Sequence, residues 1–185
     1  MLCKEEKRKL LQLARITIES YLKTGVIPPF ETKEAGLLEK RGAFVTLKKN
    51  GELRGCIGRI YAEEPLYQTI QEMAIEAGFK DPRFYPLRLE ELSEIEIEIS
   101  VLSPLKKIED IKEIEVGKHG ILMRSGLNSG LLLPQVATEY KWTKEEFLKH
   151  TAFKAGLSPL AWRDKNTQIY IFSAEVFSES QINTD

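Results

Sequence analysis

The sequence predicts an α+β fold, antiparallel sheets with flanking helices, and three observations carry that prediction. Segments of helical and strand period follow one another without strict alternation. Two hairpin signals, at Asn50–Gly51 and around Gly126–Asn128, imply antiparallel pairing. The run EIEIEISVL (94–102) alternates cleanly, with Ile95, Ile97, Ile99 and Val101 on one side and Glu96, Glu98 and Ser100 on the other.

The elements follow in order. Leu10, Ala14, Ile18 and Leu22 recur every four residues, joined by Leu13 and Tyr21, and predict a helix from about Glu5 to Lys23. Gly25 and the pair Pro28–Pro29 stop it. Residues 34–41 carry no clear period and are read as loop. The stretch GAFVTLKKNGELRGCIGRI (42–60) is a hairpin turning at Asn50–Gly51, so that Lys49 faces Glu52, Leu47 faces Arg54 and Val45 faces Cys56. In that register Arg54 and Cys56 share a sheet face; a bulge at Gly55 would break the parity. Pro65 opens a second helix whose stripe is Leu66, Ile70, Met73, Ala74 and Ala77, and Gly78 ends it. Two prolines bracket DPRFYP (81–86) and keep it from being helix. Residues 120–124 and 129–133 form the second hairpin. Thr143 is the N-cap of a further helix, with Glu146 closing a capping box and Trp142 stapled onto Phe147; Gly156 caps its end. TQIYIFSAEVF (167–177) reads as one last strand.

Composition narrows the function classes. Basic residues total 27 against 28 acidic ones, a net charge of −1, which ranks a nucleic-acid-associated factor last. Charged residues make up 30% of the chain and lean towards a thermophilic source. The start of the chain is charged rather than signal-like and no apolar run has membrane-spanning length. With only Cys3 and Cys56 as thiols, the expectation is a cytoplasmic protein with free cysteines.

The segment LRGCIG (53–58) is the candidate site. Two glycines flank Cys56, and glycine inside a strand marks a bulge or a close backbone approach. A guanidinium lowers a neighbouring thiol's pKa, so Arg54 beside Cys56 suggests a reactive thiolate, with Arg54 as anion holder. Gly55 and Gly58 would let a ligand lie against the backbone. Asp81, Arg83 and Phe84 form a polar–aromatic knot in which Arg83 can bind an anion or pair with Asp81. His119 and His150 read as structural or surface groups, and no metal or nucleotide motif is present. Trp162 with Arg163 and Asp164 lies in a loop, where an exposed aromatic would suggest a contact surface.

With LRGCIG in place, the chain resembles the AMMECR family, known in bacteria as AmmeMemoRadiSam system protein A. RGAFVTL, DPRFYPL, ISVLSP, GLLLPQVATEYKW and KAGL complete the series over nearly the full chain, residues 1–185. The resemblance implies one domain of two intertwined lobes with the LRGCIG strand near a cleft, and Cys56, Arg54, Gly55, Ile57, Gly58, Asp81, Arg83 and Phe84 as its site. It also implies a pathway shared with a Memo-type protein and a radical-SAM protein, but no reaction and no cofactor. Many relatives carry a second cysteine two residues before the lysine of KAGL, where this chain has Ala152; Cys56 would therefore act alone. Two main readings result: a cleft that takes a small molecule or catalyses a reaction, or a non-catalytic adaptor for a partner protein.

Overall fold

The computed structural model describes residues 1–61 and 63–182. It folds as α+β around two antiparallel sheets, and the chain divides into two units, Met1–Leu102 with the segment from Glu175 onward, and Ser103–Ala174.

In the first unit, α1 (Lys4–Thr24) starts at Cys3, whose sulfur accepts the Glu6 N–H while the Glu6 carboxylate accepts the Cys3 N–H. It ends at Gly25, which takes the left-handed φ of 72°. The short α2 (Ala35–Leu38), which carries no sequence period, is held by the fully buried Leu37. Strands β1 (Ala43–Lys49), β2 (Glu52–Arg59), β3 (Ile95–Leu102) and β8 (Ala174–Ser178) form a sheet in the order β2-β1-β3-β8, with β2 at an edge. Helices α1 and α3 (Leu66–Phe79) cover one face. Leu10, Ile18, Ile70 and Met73 meet Val45, Leu47, Ile97 and Ile99 in a continuous core.

In the second unit, β4 (Lys106–Ile108), β5 (Gly120–Ser125), β6 (Asn128–Leu132) and β7 (Gln168–Phe172) make a sheet in the order β4-β7-β5-β6. Its core joins Ile121, Met123, Ile169 and Ile171 to Phe147, Leu148 and Ala152 of α5 (Lys144–Lys154). Helix α4 (Pro134–Glu139) precedes α5, and α6 (Glu179–Ile182) closes the first unit. Residues 167–177, expected as one strand, are two, one in each sheet. The break is Ser173, whose N–H donates to Ser103 Oγ and whose carbonyl accepts the Ser103 N–H.

The capping box at Thr143 is present: Thr143 Oγ1 accepts the Glu146 N–H at 3.3 Å, and Glu146 Oε2 accepts the Thr143 N–H at 2.8 Å. Trp142 packs on the core that holds Phe147 and stacks flat on His150, ring centroids 3.9 Å apart. Thr143→Ala removes one cap bond and is expected to cost about 1 kcal/mol. A denaturant melt would show a lower midpoint with an unchanged slope; an unchanged midpoint would mean that this cap does not hold the helix.

The first hairpin corrects the predicted register. Lys49 pairs with Glu52 as expected, but Lys48 then faces Leu53, and the ladder slips so that Leu47 faces Gly55 and Thr46 faces Cys56. Arg54 is the extra residue of a β-bulge. Because strand side chains alternate, a slip of one residue moves every later side chain to the other face. Cys56 therefore sits opposite Thr46 rather than opposite the buried Val45, and Gly55 and Ile57 turn towards the helices instead.

Candidate functional site

The two glycines of LRGCIG have packing reasons. A Cβ on Gly55 would lie 2.2 Å from the Ala77 carbonyl oxygen, so only glycine lets β2 approach the backbone of α3 this closely. A Cβ on Gly58 would lie 2.2 Å from the Phe44 ring. Ile57 packs, partly buried, on the core of the first unit. The space beside each of these three residues is filled by protein.

Arg54, lifted out of the ladder by the bulge, is held at both ends. Its Nε and Nη2 donate to the two carboxylate oxygens of Glu91, both at 2.9 Å. Its guanidinium carbon lies 5.9 Å from the centre of the Phe84 ring, and its buried Nη1 meets no hydrogen-bond acceptor among the described residues. These bonds hold the Glu91 carboxyl down to about 2, against the opposing effect of burial. Arg54 is thus the fixed partner of Glu91.

Asp81 and Arg83 close the open edge of β2. The Cys56 N–H points out of the sheet and donates to Asp81 Oδ2 at 2.9 Å. The Cys56 carbonyl points the same way and accepts from Arg83 Nη2 at 3.3 Å. Arg83 in turn grips Asp81, Nε to Oδ1 at 2.9 Å and Nη2 to Oδ2 at 2.7 Å. Two side chains from one loop occupy the donor and acceptor that a neighbouring strand would otherwise use. Bonds from Arg83 hold the buried Asp81 well below the usual carboxylate range despite its burial, with help from the Cys56 N–H. Asp81 is therefore a permanent anion beneath Arg83.

The thiol itself lies on the sheet face away from the helices, with Thr46 and Glu98 beside it in register. Thr46 Oγ1 and Cys56 Sγ are 3.1 Å apart. Burial pushes the Cys56 thiol up, opposed by the Thr46 hydrogen bond and the charge of Arg83. The expected depression by Arg54 is not seen: the bulge directs that guanidinium to Glu91, and the cation acting on Cys56 is Arg83.

Around the Arg83 loop lies an open depression of about 690 Å³, lined by Lys49, Arg54, Arg83, Phe84, Tyr85, Arg88 and Glu91 among others. A volume of this size holds a small molecule. Arg83 keeps its Nη1 without a protein partner among the described residues, and Arg88 is exposed and forms no ion pair there. Tyr85 is 87% exposed and offers a ring face. Cys56 does not line this depression and meets it only through Arg83 and Asp81. Sequence reasoning missed Lys49, Tyr85 and Arg88. Tyr85 directly precedes Pro86 and Arg88 lies two residues after it, and nearness to Arg83 in the chain was the one available signal.

Among the described residues no cluster of histidine, cysteine, aspartate or glutamate is arranged to hold a metal ion, and no helix is long and apolar enough to cross a membrane. Trp162 is partly buried on the core of the second unit, with the Arg163 guanidinium 4.6 Å above its ring.

Comparison with known proteins agrees with this architecture. Protein MK0488 of Methanopyrus kandleri is 47% identical over 186 residues, spanning 96% of this chain and 90% of its own length. Protein PYRAB00100 of Pyrococcus abyssi is 46% identical over 182 residues, 92% of this chain and 88% of its own. These relatives are thermophile-like, as the charged composition suggested. The crystal structure of the uncharacterised protein PH0010 from Pyrococcus horikoshii superposes with a TM-score of 0.86 at 42% identity, covering 96% of this chain and 93% of that one. The AMMECR1 family model matches residues 11–177. The chain belongs to the AMMECR1 family.

Proposed function

We propose that the protein binds a small oxyanion-bearing ligand in the depression at the edge of β2. Arg83 and Arg88 hold the anion, Phe84 and Tyr85 form the ring wall, and Cys56 is the candidate nucleophile on the adjoining face. One observation supports this above the others. Arg83 is fixed in orientation by the buried Asp81 yet, among the described residues, keeps Nη1 without a partner, on the same wall as Arg88, which forms no ion pair with them. A guanidinium held by one carboxylate and open at Nη1 is prepared for a second oxyanion, which that nitrogen can take through a charge-assisted hydrogen bond. In this reading Arg54 positions the wall through Glu91 and Phe84 rather than holding the anion. The ligand's route of supply or use, in a pathway shared with a Memo-type and a radical-SAM protein, is part of the proposal and rests on the family resemblance.

Inorganic pyrophosphate is a suitable probe, titrated by calorimetry at constant ionic strength. Saturable binding is expected, and Arg88→Gln should weaken it about tenfold, the effect of one lost charge-assisted hydrogen bond. Absence of saturable binding, or binding that Arg88→Gln leaves unchanged, would refute the site.

A second reading is favoured by the exposure of Leu53, Tyr85 and Leu89 on and beside the same wall. Apolar groups rimmed by charge also suit a protein partner, as an adaptor would require.

A further inference from the structure

Resting on that reading, we infer that occupancy of the depression regulates the Cys56 thiol: a bound oxyanion takes the free end of Arg83 and makes Cys56 a weaker nucleophile. Cys56 does not line the depression, and the side chain of Arg83 serves both. Arg83 Nη2 reaches the Cys56 carbonyl at 3.3 Å and Asp81 Oδ2 at 2.7 Å, while Nη1 remains available to the depression.

The charges around the thiol give the effect its direction. From β1 come Thr46, bonded to the sulfur, and Lys48, whose ammonium is 2.8 Å from Glu98. From β3 comes Glu98 itself, directly opposite Thr46. From the loop after α3 come Asp81 and Arg83, and α3 adds only the backbone at Ala77, against Gly55. Lys48 is paired with Glu98 and Arg83 with Asp81; of the two cations, Arg83 is the one whose charge acts on Cys56. A multiply charged anion on Arg83 adds negative charge beside a pair that is already balanced. The thiolate is then disfavoured, whereas the neutral thiol is unaffected. No atom of the ligand needs to touch the sulfur.

The same link operates in reverse. If the ligand weakens the thiolate, formation of the thiolate must weaken ligand binding by the same factor. A protein built this way keeps its nucleophile less reactive while the anion is bound and restores it on release.

The test uses Cys3→Ser as background, since serine also caps a helix, leaving Cys56 as the single thiol. Its alkylation by iodoacetamide is followed by mass spectrometry from pH 6.5 to 10, with and without saturating pyrophosphate at equal ionic strength. The expected result is a rate profile displaced upward by about half a pH unit with an unchanged plateau, so that labelling at pH 7.5 slows about threefold. Arg88→Gln should raise the pyrophosphate concentration required without changing the final displacement. The double variant Asp81→Asn/Arg83→Gln replaces both charges by amides and avoids a stranded carboxylate; its profile should ignore pyrophosphate. A lowered plateau without displacement would mean simple shielding and overturn the inference. Calorimetric saturation with an unchanged labelling profile would also overturn it while leaving the binding site standing. Failure of pyrophosphate to bind at all would overturn both.

Discussion

Gly55→Ala is expected to destabilise the protein by about 3 kcal/mol, although it adds one methyl group to an exposed-looking strand. The added Cβ would lie 2.2 Å from the Ala77 carbonyl oxygen and 3.2 Å from its carbon, both backbone atoms of α3. Backbone in a helix cannot rotate away as a side chain can, so strand and helix must separate along their whole contact. Overpacking of this kind costs roughly 1–3 kcal/mol and sometimes more. For a chain of this length that corresponds to a thermal midpoint lowered by roughly 6–12 °C. Gly78→Ala is the matched control on the helix side. Its Cβ would find Leu47 Cδ1 at 3.7 Å, an ordinary contact, and alanine suits a helix better than glycine by about 0.5–1 kcal/mol. A thermal melt of the two variants should therefore move them in opposite directions. If Gly55→Ala melts with the parent, the close approach of β2 to α3 is not what this glycine serves.

That approach also explains where the sequence was legible and where it was not. The α1 stripe, the Thr143 box and the alternation of β3 depend on residues a few positions apart, and each appears where the local pattern placed it. The Asn50–Gly51 turn is of the same kind, with Asn50 at φ 53° and Gly51 at φ 81°. The register beyond it is not. It depends on the bulge at Arg54, which brings Gly55 rather than a bulky side chain against Ala77, a residue more than twenty positions further on. The partner of Arg54 is more distant still: Glu91 lies 37 residues away in a turn without periodicity. The thiol's environment was misjudged for that reason, since adjacency in the chain suggested Arg54 while the fold supplied Arg83. Asp81 and Arg83 were legible as a pair because they are two residues apart. That both would reach the edge of β2 at Cys56 was not written in any local pattern.

The other large effect is expected at Arg15, which the helical stripe of α1 leaves on its flank. The chain departs from the first unit after Leu102 and returns at Glu175, so the last strand and helix must be fastened to elements made long before them. Arg15 is one of the fastenings, with Arg41, whose Nη2 donates to Glu175, another. Arg15 Nε and Nη2 each lie 2.5 Å from a carboxylate oxygen of Glu179, and its Nη1 and Nη2 donate to the carbonyls of Leu92 and Ile95 at 2.8 Å. Glu179 Oε2 also accepts the N–H of Ile97 at 2.8 Å, so the carboxylate is fixed to β3 as well. Both side chains are less than a third exposed. Arg15→Met keeps the apolar stem and removes the charge, which strands a half-buried carboxylate and two carbonyls. A loss of about 3 kcal/mol is expected, the lower end for breaking a buried pair because water still reaches this one in part. Arg15→Lys should recover only a fraction, since one ammonium cannot span four acceptors in the plane of a guanidinium. The double variant Arg15→Met/Glu179→Met should be more stable than Arg15→Met alone, because it removes the stranded charge. Denaturant melts of the three variants decide the matter. A double variant less stable than Arg15→Met, or a single variant within about 0.5 kcal/mol of the parent, would show that the pair is surface decoration rather than a fastening of the returning chain.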